Sequence, residues 1–216
     1  MMRVFRVSLA ALSIVSLLAS SAAAGLITFD TDASGVPFTG PNVWSLSEPL
    51  REQYAPLGVH FEAPGNDGGR IMDGRDWIGV ANPHSGTNDV RFSELTSPQT
   101  PDGGRPRDPM TILFDELMKE VSLYASSSSH SFTLTAYDAE GGLLDSYTGT
   151  LSGKGWVQLG VSSNEGISSV VFTANDSLVF YAFDDLEFTP VVPEPATLGL
   201  LAFGGLGLLR RRRRKP

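Results

Sequence analysis

The sequence predicts an all-β fold: a single β-sandwich of jelly-roll type, followed by one C-terminal membrane-spanning helix. Beyond residue 25 the chain has short runs in which apolar and polar residues alternate, and clusters of Gly, Pro, Asp, Asn and Ser separate these runs. Alternation with a period of two is typical of strands. No part of this region has a strong helical period, and turn signals about every 8 to 12 residues are typical of two-sheet sandwiches.

The first 24 residues predict a secretory signal peptide. Arg3 and Arg6 precede an apolar stretch from Val7 to Leu18, and residues 22–24 are alanines directly before Gly25. A basic start, an apolar centre and a small-residue end are the features that secretion and cleavage require. We therefore expect export through the Sec translocon, cleavage by signal peptidase and a mature chain that begins near Gly25.

The exported part, residues 25–190, is acidic and contains no cysteine. It carries 8 Lys and Arg against 23 Asp and Glu, because two of the 16 cations lie in the signal peptide, six lie in the last seven residues, and one of the 24 anions follows residue 190. Such a surface repels nucleic acid, so no nucleic-acid partner is expected. The absence of cysteine excludes disulfides, thiolate catalysis and cysteine-based zinc sites.

The alternating runs define the predicted strands. They are Leu26–Asp30, Val59–Glu62, Trp77–Ala81, Asp89–Ser93, Thr111–Phe114, Glu120–Ala125, Ser131–Asp138, Leu143–Thr150, Gly155–Val161, Ser168–Ala174 and Leu178–Phe188. Ala139–Gly142 predicts a hairpin turn, since its adjacent glycines allow positive φ. Residues 115–121 are expected to form one helical turn or a strand connection. The side chains expected to face the core are Leu134, Ala136, Val170, Phe172, Ala182, Leu186 and Phe188.

Alternation in the last strand places a carboxylate among core residues. Asp184 is expected on the same face as Leu186 and Phe188, and an unpaired buried charge is costly, so Asp184 requires a partner. Structural calcium is one expectation, with Asp30 and Asp32 as the other ligands if the first and last strands pair. Backbone amides, a tyrosine hydroxyl or an arginine are the alternative. No other cofactor is expected.

Trp77 and His84 are the expected ligand contacts. Trp77 lies beside a Gly-rich loop, and His84 lies in a polar loop. The other aromatic side chains that could stack on a sugar, or else belong to the core, are Trp44, Trp156, Tyr54 and Tyr181. No nucleophile elbow, phosphate-binding loop or His-x-x-x-His motif occurs, so no catalytic residue and no enzymatic activity are expected.

The C-terminal end combines a short polar motif, an apolar run and a basic cluster. Pro193, Glu194 and Pro195 precede 14 predominantly apolar residues, Ala196–Leu209. The basic cluster consists of Arg210, Arg211, Arg212, Arg213, Arg214 and Lys215. A membrane-spanning helix needs about 20 residues, so this one is a marginal anchor. The basic cluster is expected to hold its end on the cytoplasmic side.

This arrangement resembles the PEP-CTERM sorting signal, here over residues 191–216. The resemblance implies an exported protein of a Gram-negative, exopolysaccharide-producing bacterium that an exosortase, an integral-membrane protease, recognises and cleaves near the Pro-Glu-Pro. Pro193, Glu194 and Pro195 would be recognition elements without a catalytic role. The core is also similar, more loosely, to the jelly-roll cores of PEP-CTERM proteins and carbohydrate-binding modules, in segments such as Leu26–Asp30 and Ala182–Phe188.

The sequence therefore predicts a signal peptide at 1–24, an exported β-sandwich at 25–190 and a sorting signal at 191–216. The sorting signal would anchor the protein transiently in the inner membrane, before release to the cell surface or extracellular matrix. A structural or adhesive role in exopolysaccharide or biofilm is expected there. Two alternatives are a carbohydrate-binding, lectin-like module stabilised by calcium, and a secreted glycoside hydrolase, which needs two facing carboxylates about 5 to 10 Å apart.

Overall fold

The structure is a computed structural model, and it describes residues 24–42, 46–63, 68–75, 80–93, 109–128, 130–175 and 180–191. The strands are β1 (Gly25–Ile27), β2 (Val59–Glu62), β3 (Arg70–Asp73), β4 (Asn88–Ser93), β5 (Met110–Ser127), β6 (Ser131–Tyr137), β7 (Leu143–Thr150), β8 (Gly155–Ala174) and β9 (Phe180–Pro190). A 3₁₀ turn at Ala55–Leu57 precedes β2. The described ranges contain no α-helix, so the all-β prediction is confirmed.

Several predicted features lie outside the described residues. They are the signal peptide, Trp44, Trp77, the Pro193–Pro195 motif and the apolar and basic segments that follow it. In the part of the chain that is described, no helix has the length and apolarity needed to cross a membrane. The C-terminal helix and the jelly-roll class of the domain therefore stay predictions.

The nine strands found among the described residues belong to one antiparallel sheet. Its order is β3-β4-β9-β5-β8-β6-β7, with β1 also paired to β9 and β2 to β5. The predicted hairpin is confirmed between β6 and β7, where Gly141 has a φ of 83°. Asp138 stabilises this turn, since its Oδ1 accepts the N–H groups of Glu140 and Gly142 at 3.0 and 2.6 Å. Turn residues of these types are what a tight connection requires.

β5 and β8 are long strands that replace four shorter predicted ones. The helical turn or strand connection expected at 115–121 is wrong, because β5 continues through it. Met118 lies at a register shift of this strand and is buried after three exposed residues, and regular alternation resumes at Val121. The predicted strands at 155–161 and 168–174 are likewise joined in β8. Each long strand therefore contributes to two regions of the sheet.

The sheet folds over itself and encloses an aromatic core. In a flat sheet β6 and β9 would be three strand spacings apart, about 14 Å. The ring centroids of Phe132 in β6 and Tyr181 in β9 are nevertheless 6.2 Å apart. The rings of Phe172 in β8 and Phe183 in β9 are 5.3 Å apart. Two layers therefore face each other, and the predicted core residues Leu134, Ala136, Val170, Phe172, Ala182, Leu186 and Phe188 are all buried.

β9 contains a β-bulge next to the predicted site. Ser122 of β5 pairs with Glu187, whereas Tyr124 pairs with Asp184, so two residues of β5 span three residues of β9. Asp185 lies in this step and has a positive φ of 49°. An extra residue in one strand of an antiparallel pair is the definition of a bulge, and bulges redirect side chains.

The bulge changes which residues of β9 face the core. Tyr181 and Phe183 belong to the core before the bulge, and Leu186 and Phe188 belong to it afterwards. The core positions therefore shift by one residue along the strand. The prediction that Ala182 and Asp184 lie on the same face as Leu186 and Phe188 is wrong for this reason, although both are fully buried.

Candidate functional site

Two carboxylates of the β9 bulge bind the loop of residues 81–87, called here the 81–87 loop. The Ser85 N–H donates to Asp184 Oδ2 at 3.1 Å, and the Ser85 hydroxyl donates to Asp185 Oδ1 at 2.6 Å. His84 Nδ1 lies 2.6 Å from Asp185 Oδ2. Successive residues of a regular strand point to opposite faces. The bulge is therefore what lets Asp184 and Asp185 contact the same loop.

Asp30, just beyond β1, holds the C-terminal end of the 81–87 loop. Its Oδ1 accepts the N–H groups of Thr87 and Asn88 at 2.8 and 3.0 Å. Gly86 has a φ of 51°, and a Cβ atom there would lie 1.7 Å from Asp30 Oδ2. Only glycine fits both this backbone conformation and this close approach. The second half of the loop is therefore fixed by carboxylates from outside it, at residues 84 and 85 and again at Thr87.

The pKa of Asp184 is raised to about 8. Burial is the main cause, and the nearby charges of Asp185 and Asp89 raise the pKa further, whereas the N–H donors of Ser85 and Asp185 lower it. A carboxyl group with this pKa is mostly protonated at neutral pH. The structure thus accommodates the buried Asp184 side chain by backbone N–H donors and by favouring its neutral form.

A buried ion pair supports the base of the 81–87 loop. Arg91 Nε and Nη2 donate to the two carboxylate oxygens of Asp89 at 2.6 and 2.7 Å. The side chains of Arg91 and Asp89 are 1% and 0% exposed. Arg91 Nη2 also lies 3.2 Å from the carbonyl oxygen of Ala81, the first residue of the loop. Ala81 N–H donates to Ser126 Oγ at 3.1 Å, so both backbone groups of Ala81 bond to side chains. Ala81 is therefore not part of a strand, although the sequence predicts one over Trp77–Ala81.

His84 lies against aromatic side chains on the outer face of the sheet. Its ring stacks on Tyr124 of β5, with centroids 3.7 Å apart and an interplanar angle of 15°. Trp156 of β8 approaches it edge-on at 5.8 Å, and the Trp156 Nε1–H donates to the carbonyl oxygen of Asn82 at 2.8 Å. Because a carboxylate only accepts hydrogen bonds, the contact with Asp185 assigns the proton to His84 Nδ1. The His84 side chain is 34% exposed, so the ring is positioned but remains accessible.

The three predicted calcium ligands each accept backbone N–H groups. Asp32 is exposed, and its Oδ1 stabilises its own turn by accepting the N–H groups of Ser34 and Val36 at 2.8 and 3.0 Å. Asp184 takes the backbone amides that the sequence allowed as the alternative to a metal. Among the residues that the structure describes, no group of three or more His, Asp or Glu side chains could hold a metal ion. Calcium at Asp30, Asp32 and Asp184 stays a prediction.

Sequence reasoning found part of this site and missed the rest. It selected Asp184, Asp30 and His84, which the structure brings to one loop. It missed Asp185 and Tyr124, both of which contact the His84 side chain. The adjacent aspartates at 184 and 185 were a visible signal for a bulge, because a regular half-buried strand would place one of two adjacent charges in the core.

Comparison with protein families assigns the C-terminal end. Residues 191–214 match the family described as the PEP-CTERM protein-sorting motif. The chain carries a PEP-CTERM sorting motif. This motif implies a secreted surface protein that an exosortase processes. The individual roles of Pro193, Glu194 and Pro195, and of the basic cluster Arg210–Lys215, stay predictions.

Comparison with solved structures concerns the β domain. The chain is similar to the K2 cleaved adhesin domain of Lys-gingipain, with a TM-score of 0.47, 14% identity and coverage of 77% of this chain and 99% of that one. It is similar to the K1 cleaved adhesin domain of Lys-gingipain from Porphyromonas gingivalis W83, with a TM-score of 0.47, 13% identity and coverage of 78% and 98%.

A third similar structure is the CBM22-1 xylan-binding domain of Xyn10C from Paenibacillus barcinonensis, with a TM-score of 0.39, 14% identity and coverage of 73% and 99%. At these identities and TM-scores the matches assign neither a ligand nor an activity to the β domain. A comparison with curated protein sequences finds no match.

Proposed function

We propose that this chain is exported, anchored transiently in the inner membrane by its PEP-CTERM segment, and released by an exosortase to serve as a surface or matrix protein. The match of residues 191–214 to the sorting motif carries the proposal. Export would begin at the predicted signal peptide. The β domain would then fold outside the cytoplasm, held by its aromatic core and buried ion pair rather than by disulfides, since the chain has no cysteine.

The order of residues in the PEP-CTERM segment suits a processing substrate. The apolar run Ala196–Leu209 has 14 residues, which is fewer than the roughly 17 that a stable span needs at minimum. Its glycines permit close approach of another membrane helix, as small residues do in bilayers. The six cations that follow would remain on the cytoplasmic side. A weak span with one orientation presents the Pro-Glu-Pro to a membrane protease on the opposite side.

The intact mass of the protein recovered from the surface of its host tests this proposal. We expect loss of residues 1–24 and of everything after a bond near Pro195. A variant in which Arg210–Lys215 are all replaced by Gln should retain the tail or fail to reach the surface, because it lacks the orienting charge. Replacing the same arginines by Lys, which keeps the charge, should leave processing unchanged. A wild-type mass that includes residues 196–216 would mean that the tail is a permanent anchor.

In the matrix, we propose a structural or adhesive role without enzymatic activity. The acidic domain has 23 anions and 8 cations between residues 25 and 190, which supports solubility and disfavours binding to other polyanions. A second candidate function is binding of a glycan by the domain itself. The partly exposed rings of His84, Tyr124 and Trp156 at the outer sheet face favour it, since such rings offer apolar surface beside polar groups.

A further inference from the structure

The outer face of the sheet contains a polar groove where β9, β5 and β8 lie side by side. Glu187, Ser122 and Gly160 form one row across the three strands, and Thr189, Glu120 and Ser162 form the next. The intervening residues Val121 and Val161 face the core, so these rows face outward. The cavity between them measures about 290 Å³. We call it the Gly160 groove.

Gly160 is the feature that opens this groove. Neither its backbone nor its packing requires glycine, because its φ is not positive and a Cβ atom there would meet only Ser122 Cβ, at an ordinary contact distance of 3.6 Å. Glycine within a strand weakens the strand, and it often marks a place where a ligand approaches the backbone. Gly149 in β7 differs, since a Cβ atom there would lie 2.7 Å from Leu159 Cδ2. The absence of a side chain at position 160 therefore leaves an open space on the sheet, and the packing of neighbouring residues does not require that space.

The groove presents hydrogen-bond acceptors and hydroxyls. Glu120 is 58% exposed, and its Oε1 lies 3.4 Å from the Nζ of Lys119, which is the cation beside it. Ser122 Oγ donates to Glu187 Oε2 at 3.4 Å, a long contact that a ligand can replace. Carboxylates accept hydrogen bonds from sugar hydroxyls and attract amines, whereas they repel an acidic ligand. The chemistry selects a ligand that is rich in donors and carries no negative charge.

The row of outward-facing residues continues along the strands toward the rings that contact His84 of the 81–87 loop. Tyr124 is two residues from Ser122 on the same face of β5, and Trp156 is four residues from Gly160 on β8. At about 3.3 Å per residue, these separations are roughly 7 and 13 Å. A chain molecule lying along the strands would therefore meet carboxylates and hydroxyls first, then aromatic rings. This length suits an extended polymer better than a single small molecule.

We propose that the Gly160 groove binds a segment of a non-acidic glycan, whose hydroxyl or amine donors contact Glu120 and Glu187. The proposal rests on the proposed function, because it supplies the polysaccharide contact of a matrix protein. It differs from the sequence prediction, which placed ligand contacts at Trp77 and His84. The groove would accept neutral sugars and amino sugars through the same donors, and it would reject uronic acids.

Titration calorimetry of the full chain in detergent micelles tests the groove. The probes are a neutral glucan hexasaccharide, a glucosamine hexasaccharide and a galacturonic acid hexasaccharide. We expect saturable binding of one or both of the first two and none of the third. Binding of glucosamine alone would assign the amine as the recognised donor, and equal binding of both would assign the hydroxyls. Absence of saturable binding to both, or preference for the uronic acid, would overturn the proposal.

Two sets of variants localise the binding. Gly160→Ile fills the groove without changing charge and should weaken binding at least about tenfold, whereas Gly153→Ile, in an open turn with no atom within 4 Å of its Cβ position, should not. Glu120→Gln with Glu187→Gln should also weaken binding, and the exposed pair Glu140→Gln with Glu165→Gln is the control for net charge. Equal losses in variants and controls would show nonspecific attraction and overturn the proposal.

These results can be separated from a failure of the proposed function. Binding in micelles does not depend on exosortase. An intact mass that contradicts the sorting proposal would therefore leave the binding measurement at the groove unaffected. Correct processing of the chain without glycan binding would refute the proposal for the groove and leave the sorting proposal intact. If Gly160→Ile fails to fold, as judged by its thermal transition, the glutamate variants still decide, because those side chains are exposed.

Discussion

The 81–87 loop and the Gly160 groove lie on the same sheet and use carboxylates in opposite ways. In the loop region, Asp184 is 0% exposed, and its oxygens accept defined backbone donors. In the groove, Glu120 is 58% exposed and has one neighbouring cation at 3.4 Å. Buried polar groups must be satisfied within the fold, whereas exposed ones exchange partners easily. We infer that the loop carboxylates hold the structure and that the groove carboxylates are available to a ligand.

The same comparison holds for the glycines of the two regions. A side chain at Gly86 would collide with Asp30, whereas a side chain at Gly160 would have room. The fold therefore requires glycine at position 86, whereas it does not require glycine at position 160. Substitutions in the two regions therefore separate groups that the fold requires from groups that are available to a ligand.

Replacement of Arg91 by Met should cause the largest loss of stability. Arg91 forms a bidentate pair with Asp89, and both side chains are at most 1% exposed. Removing one partner leaves a buried charge uncompensated, so the free energy of unfolding should fall by about 3 to 5 kcal/mol. Urea denaturation of the wild type and the variant measures this loss. Arg75→Met is the matched control, because its pair with Asp73 has a 55% exposed arginine and should contribute less than about 1 kcal/mol. A similar small loss at Arg91 would contradict the structural role of the pair.

Replacement of Asp184 by Asn should change the pH dependence of stability. The folded pKa is about 8, above the value of about 4 in the unfolded chain. The folded state therefore binds the proton more tightly, and the group's contribution to stability is complete below pH 4 and is lost as the pH rises to 8 and beyond. Each pKa unit of difference corresponds to about 1.4 kcal/mol.

Thermal denaturation between pH 5 and 9 measures this effect. The Asn variant should lose stability less steeply with pH than the wild type, because its side chain does not ionise. Asp138→Asn, in the exposed β6–β7 turn, is the control for the same replacement at another aspartate, because the Asn Oδ1 can still accept the N–H groups of Glu140 and Gly142. Identical pH slopes for Asp184→Asn and the wild type would mean that Asp184 is ionised in the folded state, which a cation such as the predicted calcium would favour.

Replacement of Gly86 by Ala should cost about 2 to 3 kcal/mol. Its φ of 51° is unfavourable for alanine, and the new Cβ would lie 1.7 Å from Asp30 Oδ2, so the carboxylate must move away from Thr87 and Asn88. Gly35→Ala isolates the backbone effect, because Gly35 has a φ of 78° with nothing within 4 Å of its Cβ position. Its cost should be about 1 kcal/mol. Equal costs at the two positions, measured by urea denaturation, would argue against the close approach of Asp30.

The sequence predicted local features of the molecule better than its long-range pairings. The 139–142 hairpin, the burial of Asp184 and the core positions of β6 and β8 follow from alternation and turn chemistry, which are encoded in a few neighbouring residues. The bulge at Asp185 depends on how β9 pairs with β5, and these strands are distant in sequence. The long course of β5 through 115–121 likewise depends on its pairing with β8.

The candidate sites show the same limit. Sequence reasoning selected Asp184 for its expected cost of burial, but it could not identify the donors from Ser85, since the loop that carries Ser85 reaches β9 only in the folded chain. The Gly160 groove was not predicted at all. Its nine lining residues come from three strands, and none of them forms a motif with its sequence neighbours.

Replacement of Gly160 by Ala should have the smallest effect, and its sign is informative. Alanine fits the space and restricts the unfolded chain, so stability should rise by up to about 1 kcal/mol. Gly149→Ala should instead lower stability, because its Cβ would lie 2.7 Å from Leu159 Cδ2. Urea denaturation compares the two. If Gly160→Ala lowered stability by more than about 1 kcal/mol, the fold itself would require glycine at this position. Ligand binding would then not be needed to account for the glycine.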